Sequence, residues 1–467
     1  MKIKLLFTVI FWMVFFELSN AQVNAQSTQL KPRIIVLTDV STWETDDSES
    51  LVRLFAYADM FEIEGIVYTT GWSLDETRDD FFGLIHNTID AYEKDLPNLM
   101  KRSNQNGHLS NENKQTVGYW PSANYLRERT VFGSKKRGIA NIGQGYDSDG
   151  SNLIIKQADS DDKRPLWICL WGGGNTLAQA IWKVKNERST EDLRTFLQKI
   201  PTYAITDQDR SYEKGTPFEI SAQQWLRKDF EKSLVYLWDE SAWLYQNGTG
   251  KKNWEEYEKN IQSHGNLGKV YPKYKYGVEG DTPSFLYLLP NGLNVPSNPS
   301  DVGWGGYFNW GVGPDNTSYS YTNHEGKAKE IASKYASYFY PAIFNDFAAR
   351  MDWAKDGRGN SNPTVIINKS EGTDIIKLKP KSGTTLTLDA SKSKDLDNNQ
   401  LNYKWWFLSE ASTYTGNLNI TGANDAKASV NVPSNAIGTS IHIICEVKDN
   451  GEPHLTSYRR IILEPIK

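Results

Sequence analysis

The sequence predicts an α/β domain with a mostly parallel β-sheet and flanking helices, followed by a small all-β sandwich. Near the start of the chain, residues 33–38 and 61–69 are apolar runs typical of buried strands, and residues 48–57 between them have helical spacing. A strand, a helix and a second strand in succession form the βαβ unit from which parallel sheets are built. Beyond residue 363 the apolar residues instead recur with a period of two, which is typical of antiparallel strands.

The same alternation of strands and helices continues through the α/β domain. A long amphipathic helix at residues 325–353 closes it, and the stretch 240–325, rich in Gly, Asn, Pro and Trp, is expected to form long loops over one face. The other expected elements are strands at residues 166–171, 202–206 and 234–238, and helices at residues 79–99, 176–184 and 223–230.

The 467 residues suit two to three domains. We predict an α/β domain over residues 26–354, a polar linker containing Gly and Pro over residues 355–363, and the sandwich over residues 364–467. Within the last part, alternating runs such as residues 384–389 and 440–447 are separated by turn signals. This pattern is typical of an immunoglobulin-like sandwich.

The composition excludes several classes of protein. The 52 Lys and Arg against 57 Asp and Glu give a net charge of -5, and there is no long basic run. A nucleic-acid or anionic-membrane partner is therefore disfavoured. The two cysteines, Cys169 and Cys445, each lie in an apolar run, so we expect buried free thiols in different domains. A disulfide framework and a Cys-based zinc site are excluded by number.

Residues 1–25 resemble a secretory signal peptide. Lys2 and Lys4 precede the apolar run LLFTVIFWMVFF, and small residues around Ala21 and Ala25 offer cleavage sites. The apolar run is shorter than the roughly 20 residues that span a bilayer. No cysteine lies near the cleavage region to carry a lipid anchor. We therefore predict a periplasmic or secreted protein that has no membrane association after cleavage.

Acidic residues cluster after the first strand. Asp39 follows that strand directly, Glu44 lies in the next loop, and Asp46 and Asp47 begin a helix. Ligands of open α/β sheets bind outside the carboxyl ends of the strands, where these side chains meet. Crowded carboxylates repel one another unless a proton or cation intervenes, and Ca²⁺ or Mg²⁺ prefers such oxygen ligands. Helix capping accounts for Asp46 or Asp47 but not for Asp39.

This arrangement of strand, Thr-Asp, loop, Asp-Asp and helix resembles the inosine-uridine nucleoside hydrolases, in which an Asp-rich first loop binds Ca²⁺. The chain more closely resembles a secreted bacterial family described as cellulose-binding, which joins a nucleoside-hydrolase-like (Rossmann-like) domain to a C-terminal sandwich. The resemblance runs from about residue 32 to the C-terminus. The matching segments are SLVRLFAYADMFEIEGIVYTT, LWGGGNTLAQAI, YAITDQD, EGDTPSFLYLLPNGL, GWGGYF and VKDNGEPHLTSYRRIIL.

The resemblance implies a role for each matching residue. Asp39 would contact Ca²⁺ and act as general base on the attacking water, and Asp46 would bind sugar hydroxyls. Asn175 matches the Asn that begins the helix after the glycine-rich turn. The implied calcium ligands are Asp39, Asp47, the backbone carbonyl of Gly174, and Asp281.

Two departures from the nucleoside hydrolases argue against nucleoside cleavage. In many of those enzymes a His precedes the distal Asp and serves as the acid for the departing base, but Gly280 stands at that place here. The Gly-Asn after their second strand is replaced by Thr69-Thr70-Gly71-Trp72. The remaining candidates for the acid are Asp207, Asp209 and His324.

The 16 Trp and 24 Tyr residues offer flat rings that either pack in cores or stack on sugars. Trp72 follows the second strand, and Trp304 and Trp310 lie in glycine-rich sequence. In the sandwich, Trp406 is predicted to point outward, either as a carbohydrate platform or as an interdomain contact. The predicted substrate-binding residues are Asp46, Trp72, Asn175, Asp209 and Trp304.

These patterns and the resemblance lead to one main hypothesis and one alternative. The main hypothesis is an exported, calcium-dependent hydrolase of glycosidic bonds in polysaccharide breakdown, with water activated by Asp39. The alternative is a non-catalytic protein that binds cellulose or another carbohydrate on a nucleoside-hydrolase-like scaffold. Both predict a saccharide or glycan ligand, and both leave oligomerisation open.

Overall fold

The computed structural model describes residues 28–211 and 215–467, so the predicted signal segment lies outside the described residues. The helices are α1 Asp46–Ala56, α2 Asp79–Arg102, α3 Ala123–Arg127, α4 Asp149–Ala158, α5 Asn175–Glu187, α6 Thr190–Lys199, α7 Ala222–Asp229, α8 Ala242–Lys252, α9 Trp254–Tyr257, α10 Gly265–Val270, α11 Thr282–Leu286 and α12 Gly326–Asp356. Within the described residues, no helix is both long and apolar enough to span a membrane.

The strands of the first domain are β1 Arg33–Thr38, β2 Glu62–Tyr68, β3 Thr130–Phe132, β4 Leu166–Leu170, β5 Thr202–Ile205, β6 Tyr236–Asp239, β7 Asn309–Val312 and β8 Tyr319–Thr322. Those of the second are β9 Ile376–Leu378, β10 Thr385–Asp389, β11 Asn402–Phe407, β12 Ile420–Thr421, β13 Lys427–Asn431, β14 Ile441–Lys448 and β15 Thr456–Leu463.

The first domain is built on one eight-stranded sheet in the order β3-β2-β1-β4-β5-β6-β8-β7. Every neighbouring pair in it is parallel except β7 and β8, which confirms the predicted mostly parallel sheet. Strand β1 lies near the centre and is buried along its whole length. Because parallel strands end at a common edge, Asp39 is held at the carboxyl edge of the sheet.

Helices cover both faces of this sheet. Residues of α1, α2 and α12 pack against one face, and residues of α4, α5 and α7 pack against the other. Cys169 in β4 and Cys445 in β14 are buried free thiols, as predicted.

The prediction of long loops over residues 240–325 is wrong, because α8 to α11 and the β7–β8 hairpin occupy much of this stretch. Its glycines permit close packing: a Cβ on Gly250, within α8, would lie 2.5 Å from Val278. Its aromatic residues then build a core of their own, in which Trp254 stacks on Tyr257 with ring centroids 5.9 Å apart. Glycine within a helix obscures the helical signal in sequence, although tertiary contacts stabilise the helix.

The second domain is a sandwich of a three-stranded sheet, β10-β13-β12, and a four-stranded sheet, β11-β14-β15-β9. In β11, Trp405 belongs to the sandwich core and Trp406 points the other way. The Trp406 ring stacks on Tyr335 of α12 at a centroid distance of 6.1 Å. Of the two roles left open for Trp406, the structure therefore gives it the interdomain contact.

A second interdomain contact is made by Arg460 of β15, whose side chain is fully buried. Its guanidinium donates to the backbone carbonyls of Leu293 and Val302, at 2.8 and 2.5 Å, and lies 3.6 Å from the carboxylate of Asp301. These three partners all belong to the first domain, so one cation satisfies several buried acceptors across the interface. The predicted domain limits at residues 354 and 363 stay a prediction, and α12 extends to Asp356.

We expect Arg460→Met to lower the free energy of unfolding by about 3–5 kcal/mol, because it leaves the buried carboxylate of Asp301 without its cation. Urea denaturation followed by tryptophan fluorescence measures this. The matched control is Arg194→Met, which breaks the exposed pair with Glu191 and should cost less than about 1 kcal/mol. An equal loss of unfolding free energy in the two variants would show that the buried Arg460 contacts do not stabilise the protein more than an exposed ion pair does.

Candidate active site

Carboxylates from three segments converge at the carboxyl end of β1. Oxygens of Asp39, Glu44 and Asp47 lie within 4.8 Å of one another, and so do oxygens of Asp46, Asp47 and Asp281. Asp47 belongs to both groups and thus lies at the centre of the cluster. The structure brings together Asp39, Asp46, Asp47 and Asp281 from the predicted site, with Glu44 from the acidic loop, while the predicted Asp209 lies outside these two groups.

Contacts around helix α1 hold the cluster together. The hydroxyl of Thr38, the last residue of β1, donates to the Asp47 carboxylate and ties the helix to the strand. Further along α1, Arg53 forms a fully buried ion pair with Glu279. The backbone N–H of Glu279 also donates to Glu49, at 2.8 Å. These contacts fix the segment that carries Asp281 beside the start of α1.

The Asp39 carboxylate is enclosed by backbone on two sides. A Cβ on Gly71 would lie 1.7 Å from Asp39 Oδ2, and one on Gly172 would lie 2.5 Å from Oδ1. Both distances are far below a possible contact, so this position of Asp39 requires glycine at both places. The Thr-Thr-Gly-Trp sequence after β2 and the Gly-Gly-Gly turn after β4 therefore serve the same carboxylate.

Burial and mutual repulsion raise the pKa of the carboxyls in the cluster. For Asp39, Asp47 and Asp281, burial is the larger cause and the neighbouring carboxylates add to it, so the pKa lies well above the usual value. Burial also raises the pKa of Asp46, and burial with Asp46 nearby raises that of Glu44 to about 7. Negative charge is thus costly here without a compensating partner.

The cluster also contains buried oxygens that lack a hydrogen-bond donor. Both carboxylate oxygens of Asp39 and Oδ2 of Asp281 are buried and unpaired in the structure. Several carboxylate oxygens at one point, with their charge uncompensated, form the donor set that hard divalent cations prefer. These residues therefore fit a cation such as Ca²⁺.

A cavity of about 610 Å³ opens beside the cluster, with Glu44, Asp46, Asp47 and Asp281 on its wall. This volume is typical of small-molecule sites. Trp72 lines it, as predicted from its place after β2, and packs edge-on against Trp243. Lining residues that the sequence did not single out are Trp43, Thr206, Gln208, Trp243, Asn247, Lys251, Lys275 and Tyr276.

Two of these additional residues carry local signals of function. Asn247 of α8 hydrogen-bonds through its side chain to Asp46 and so orients that carboxylate. Thr206, at the end of β5, has a φ of 54°, which is rare for a β-branched residue and is typical of functional sites. Sequence alone does not reveal such a backbone conformation.

Five predicted site residues are not among the described residues that line the cavity. One is Asp39, which is fully buried within the carboxylate cluster, and the structure gives the other four different contacts. The Asn175 amide is fully engaged with the backbone of Gly138, accepting at 2.7 Å and donating at 2.8 Å. The Gly174 carbonyl accepts the first hydrogen bond of α5, from Ala178, and its N–H donates to Asp209. Gly172, two residues earlier, is the glycine of this turn that meets Asp39.

The other two are Asp209 and Trp304. Asp209 accepts from the backbone N–H groups of Gly174 and Gln223, both at 2.8 Å, and burial raises its pKa to about 7. Trp304 is buried at the domain interface, where its ring packs edge-on against Tyr458 of the sandwich. Its glycine-rich surroundings reflect close packing rather than exposure to a sugar.

The structure explains the missing acid at residue 280. A Cβ on Gly280 would lie 2.7 Å from Asp46 Oδ2 and 2.9 Å from the Asn247 amide nitrogen, so a histidine at this place would require one or both of these side chains to move. Asp207 is engaged by Ser221 and Arg227. Neither Asp207, Asp209 nor His324 is among the described residues lining the cavity.

In the presence of a chelator, we expect the protein to lose stability as pH rises from 5 to 8. The folded state favours protonated carboxyls here, so their contribution is complete below the unfolded-state pKa of about 4. It is lost as pH passes the raised folded-state value, which is about 7 for Glu44. Urea denaturation across this pH range measures the slope. Asp47→Asn removes one repelling charge and should flatten that slope, and equal slopes would contradict the repulsion.

Comparison with known proteins places the chain in a family. The family described as cellulose-binding Sde182, nucleoside hydrolase-like domain, matches residues 33–308. The one described as cellulose-binding protein Sde0182, C-terminal domain, matches residues 385–465. A comparison with curated protein sequences finds no significant match.

Among solved structures, a nucleoside hydrolase-related hypothetical protein from Saccharophagus degradans, described as associated with carbohydrate metabolism, is 36% identical. The alignment covers 93% of this chain and 100% of that chain, with a TM-score of 0.80. The PKD domain from KIAA 1837 protein is 20% identical over 23% of this chain and 91% of its own, with a TM-score of 0.17, which is too low to support any argument. The chain belongs to the Sde182 family, whose members carry a nucleoside-hydrolase-like domain.

Proposed function

We propose that this protein is an exported, calcium-dependent hydrolase of glycosidic bonds in carbohydrates. The observation that carries the proposal is the group of buried carboxylates at the end of β1, in which both oxygens of Asp39 are unpaired. The family description as cellulose-binding and the relative's association with carbohydrate metabolism support a saccharide ligand. Export rests on the sequence of residues 1–25, and periplasmic or secreted location follows from it.

Asp39, Asp47 and Asp281 are the residues that would hold the cation. When bound, Ca²⁺ supplies the positive charge that lets these carboxylates ionise together, and it polarises oxygen ligands. The Gly174 carbonyl accepts from Ala178 and keeps a second lone pair, so it stays a predicted ligand of this cation.

Different side chains of the protein would then carry out different parts of the reaction. Asp39 takes the proton of an attacking water, since both of its oxygens are free of protein donors. Asp46, oriented by Asn247, accepts hydrogen bonds from sugar hydroxyls. Trp72 and Trp243 present apolar ring surface to the sugar, and their contacts exclude water from the reacting bond.

A non-catalytic carbohydrate-binding role on the same scaffold is the second candidate. The observation that favours it is that Gly280 has no side chain to act as an acid, together with the absence of Asp207, Asp209 and His324 from the described cavity lining. A site that binds sugar without cleaving it has no need of a proton donor for the leaving group. The two candidates share the ligand class and differ in turnover.

Calorimetric titration of Ca²⁺ into chelator-treated protein tests the cation site. We expect the wild type to bind Ca²⁺. Asp47→Asn should weaken binding at least about tenfold, because Asp47 belongs to both groups of clustered acidic residues. Asp209→Asn is the matched control: it also removes a buried carboxylate, but one bonded to Gly174 and Gln223, so affinity should be unchanged. Absence of binding to the wild type would defeat the calcium proposal.

Release of reducing sugar from a panel of glycans tests catalysis. Asp39→Asn should lower calcium-dependent release by about 10²–10⁴-fold, the usual contribution of a general base. The same variant should still bind the glycan that the wild type cleaves.

Three results would redirect the assignment. No turnover by the wild type, with glycan binding equal in both proteins, would establish the binding role instead. Release of free base from inosine would restore nucleoside hydrolysis. Turnover unaffected by Asp39→Asn would remove Asp39 from the reaction.

A further inference from the structure

The β7–β8 hairpin at the outer edge of the large sheet has an inverted pattern of burial. Trp310 pairs with Tyr321 and Val312 pairs with Tyr319, so these four side chains project from one face. Ser320 and Thr322, which alternate with the tyrosines of β8, are buried on the other face. An antiparallel hairpin at a protein surface normally turns its apolar face inward and its polar face toward water.

The outward face is well exposed. Trp310 is 46% exposed, Tyr319 44% and Val312 37%, while Tyr321 is partly buried beside them. The rings of Trp310 and Tyr319, diagonal neighbours in the register, are stacked 26° from parallel with centroids 6.5 Å apart. Trp310 also packs edge-on against Tyr321 at 5.3 Å. The cross-strand contacts therefore hold an apolar, aromatic surface in place.

The size of this surface distinguishes between possible occupants. A large aromatic side chain has roughly 150–250 Å² of area, so three residues exposed to less than half leave on the order of 200–300 Å². A stable protein interface buries about 800 Å² on each partner. The patch is thus too small for a protein partner or a second copy, and it matches the face of a few sugar rings.

Flat glycan chains offer the matching chemistry. In an extended β-1,4-linked glucan the hydroxyls point sideways, and the C–H groups form apolar faces above and below the rings. Such a face can stack on aromatic rings while the sugar hydroxyls stay in contact with water. From β1, which Asp39 follows directly, to β7 there are five strand spacings, about 24 Å at about 4.8 Å each, so the hairpin lies well to the side of the carboxylate cluster.

We propose that the outward face of Trp310, Val312, Tyr319 and Tyr321 is a binding surface for an extended polysaccharide chain of the cellulose type, separate from the cavity. This proposal depends on the proposed function only in requiring a carbohydrate ligand, and it does not require that the protein cleave that ligand. The hairpin holds the polymer, while the carboxylate site acts on or binds a sugar elsewhere.

Retention of the full chain on microcrystalline cellulose tests this surface. Trp310→Ala should raise the dissociation constant at least about tenfold, and Tyr319→Ala should also raise it, as expected for loss of a stacking ring. Trp310→Phe keeps an aromatic ring and should retain most of the affinity. Leu109→Ala is the control, because Leu109 is 54% exposed but lies outside the hairpin, and it should bind as the wild type does.

Parallel measurements separate this surface from the cavity. Trp310→Ala should keep the wild-type melting temperature and Ca²⁺ affinity, whereas Asp47→Asn should lose Ca²⁺ but stay on cellulose. Failure of the wild type to bind cellulose, or equal retention of wild type and Trp310→Ala, would overturn the proposal. Conversion of a dimer to a monomer by Trp310→Ala, with retention unchanged, would identify a self-association surface instead.

Discussion

Repulsion among carboxylates at the end of β1 is the constraint on which the rest of the site depends. Burial, and after it the charge of neighbouring carboxylates, raises the pKa of Asp39, Asp47 and Asp281, so the bare cluster opposes folding at neutral pH. Glycines at residues 71 and 172 keep Asp39 in place although its oxygens gain no donor. A chain selected for stability alone has no reason to keep this arrangement, which is why a cation and a function are the natural explanation.

The departure from nucleoside hydrolases is as informative as the shared carboxylates. Gly280 brings its backbone close to Asp46 and Asn247, so the place of the usual acid is taken by two side chains that we propose face the substrate. The site has retained groups that would hold a cation and a sugar while the group that would protonate a departing base is absent. Cleavage of a bond whose leaving group needs little protonation and binding without cleavage are both consistent with this change.

Much of the fold and part of the site follow from local sequence. Strand β1 and helix α1 are read from apolar runs and spacing, and the positions of Asp39, Asp46 and Asp47 follow because parallel strands share a carboxyl edge. Asp281 lies far along the chain, and only the family resemblance links it to them. The sequence does not point to Asn247, because the glycines in its helix predict a loop there.

Two predicted site residues, Asn175 and Trp304, are not among the described residues lining the cavity because of contacts that sequence does not show. Asn175 begins α5 as expected, but its amide is taken up by Gly138 from a distant loop. Trp304 lies in glycine-rich sequence, yet the sandwich covers it. A motif predicts the position of a residue along a helix or strand, but tertiary packing determines which groups its side chain contacts.

The interdomain contacts have a consequence for the polysaccharide binding proposed above. Many carbohydrate-active proteins attach a binding module through a flexible linker, and the effective concentration of the second site then depends on linker length. Here Trp406 stacks on Tyr335 and Arg460 is buried against first-domain carbonyls, so the sandwich has a fixed orientation relative to the large sheet. The surface proposed for a polysaccharide chain therefore keeps one orientation relative to the sandwich, and lengthening the connection at residues 357–363 would leave that orientation unchanged while these contacts hold.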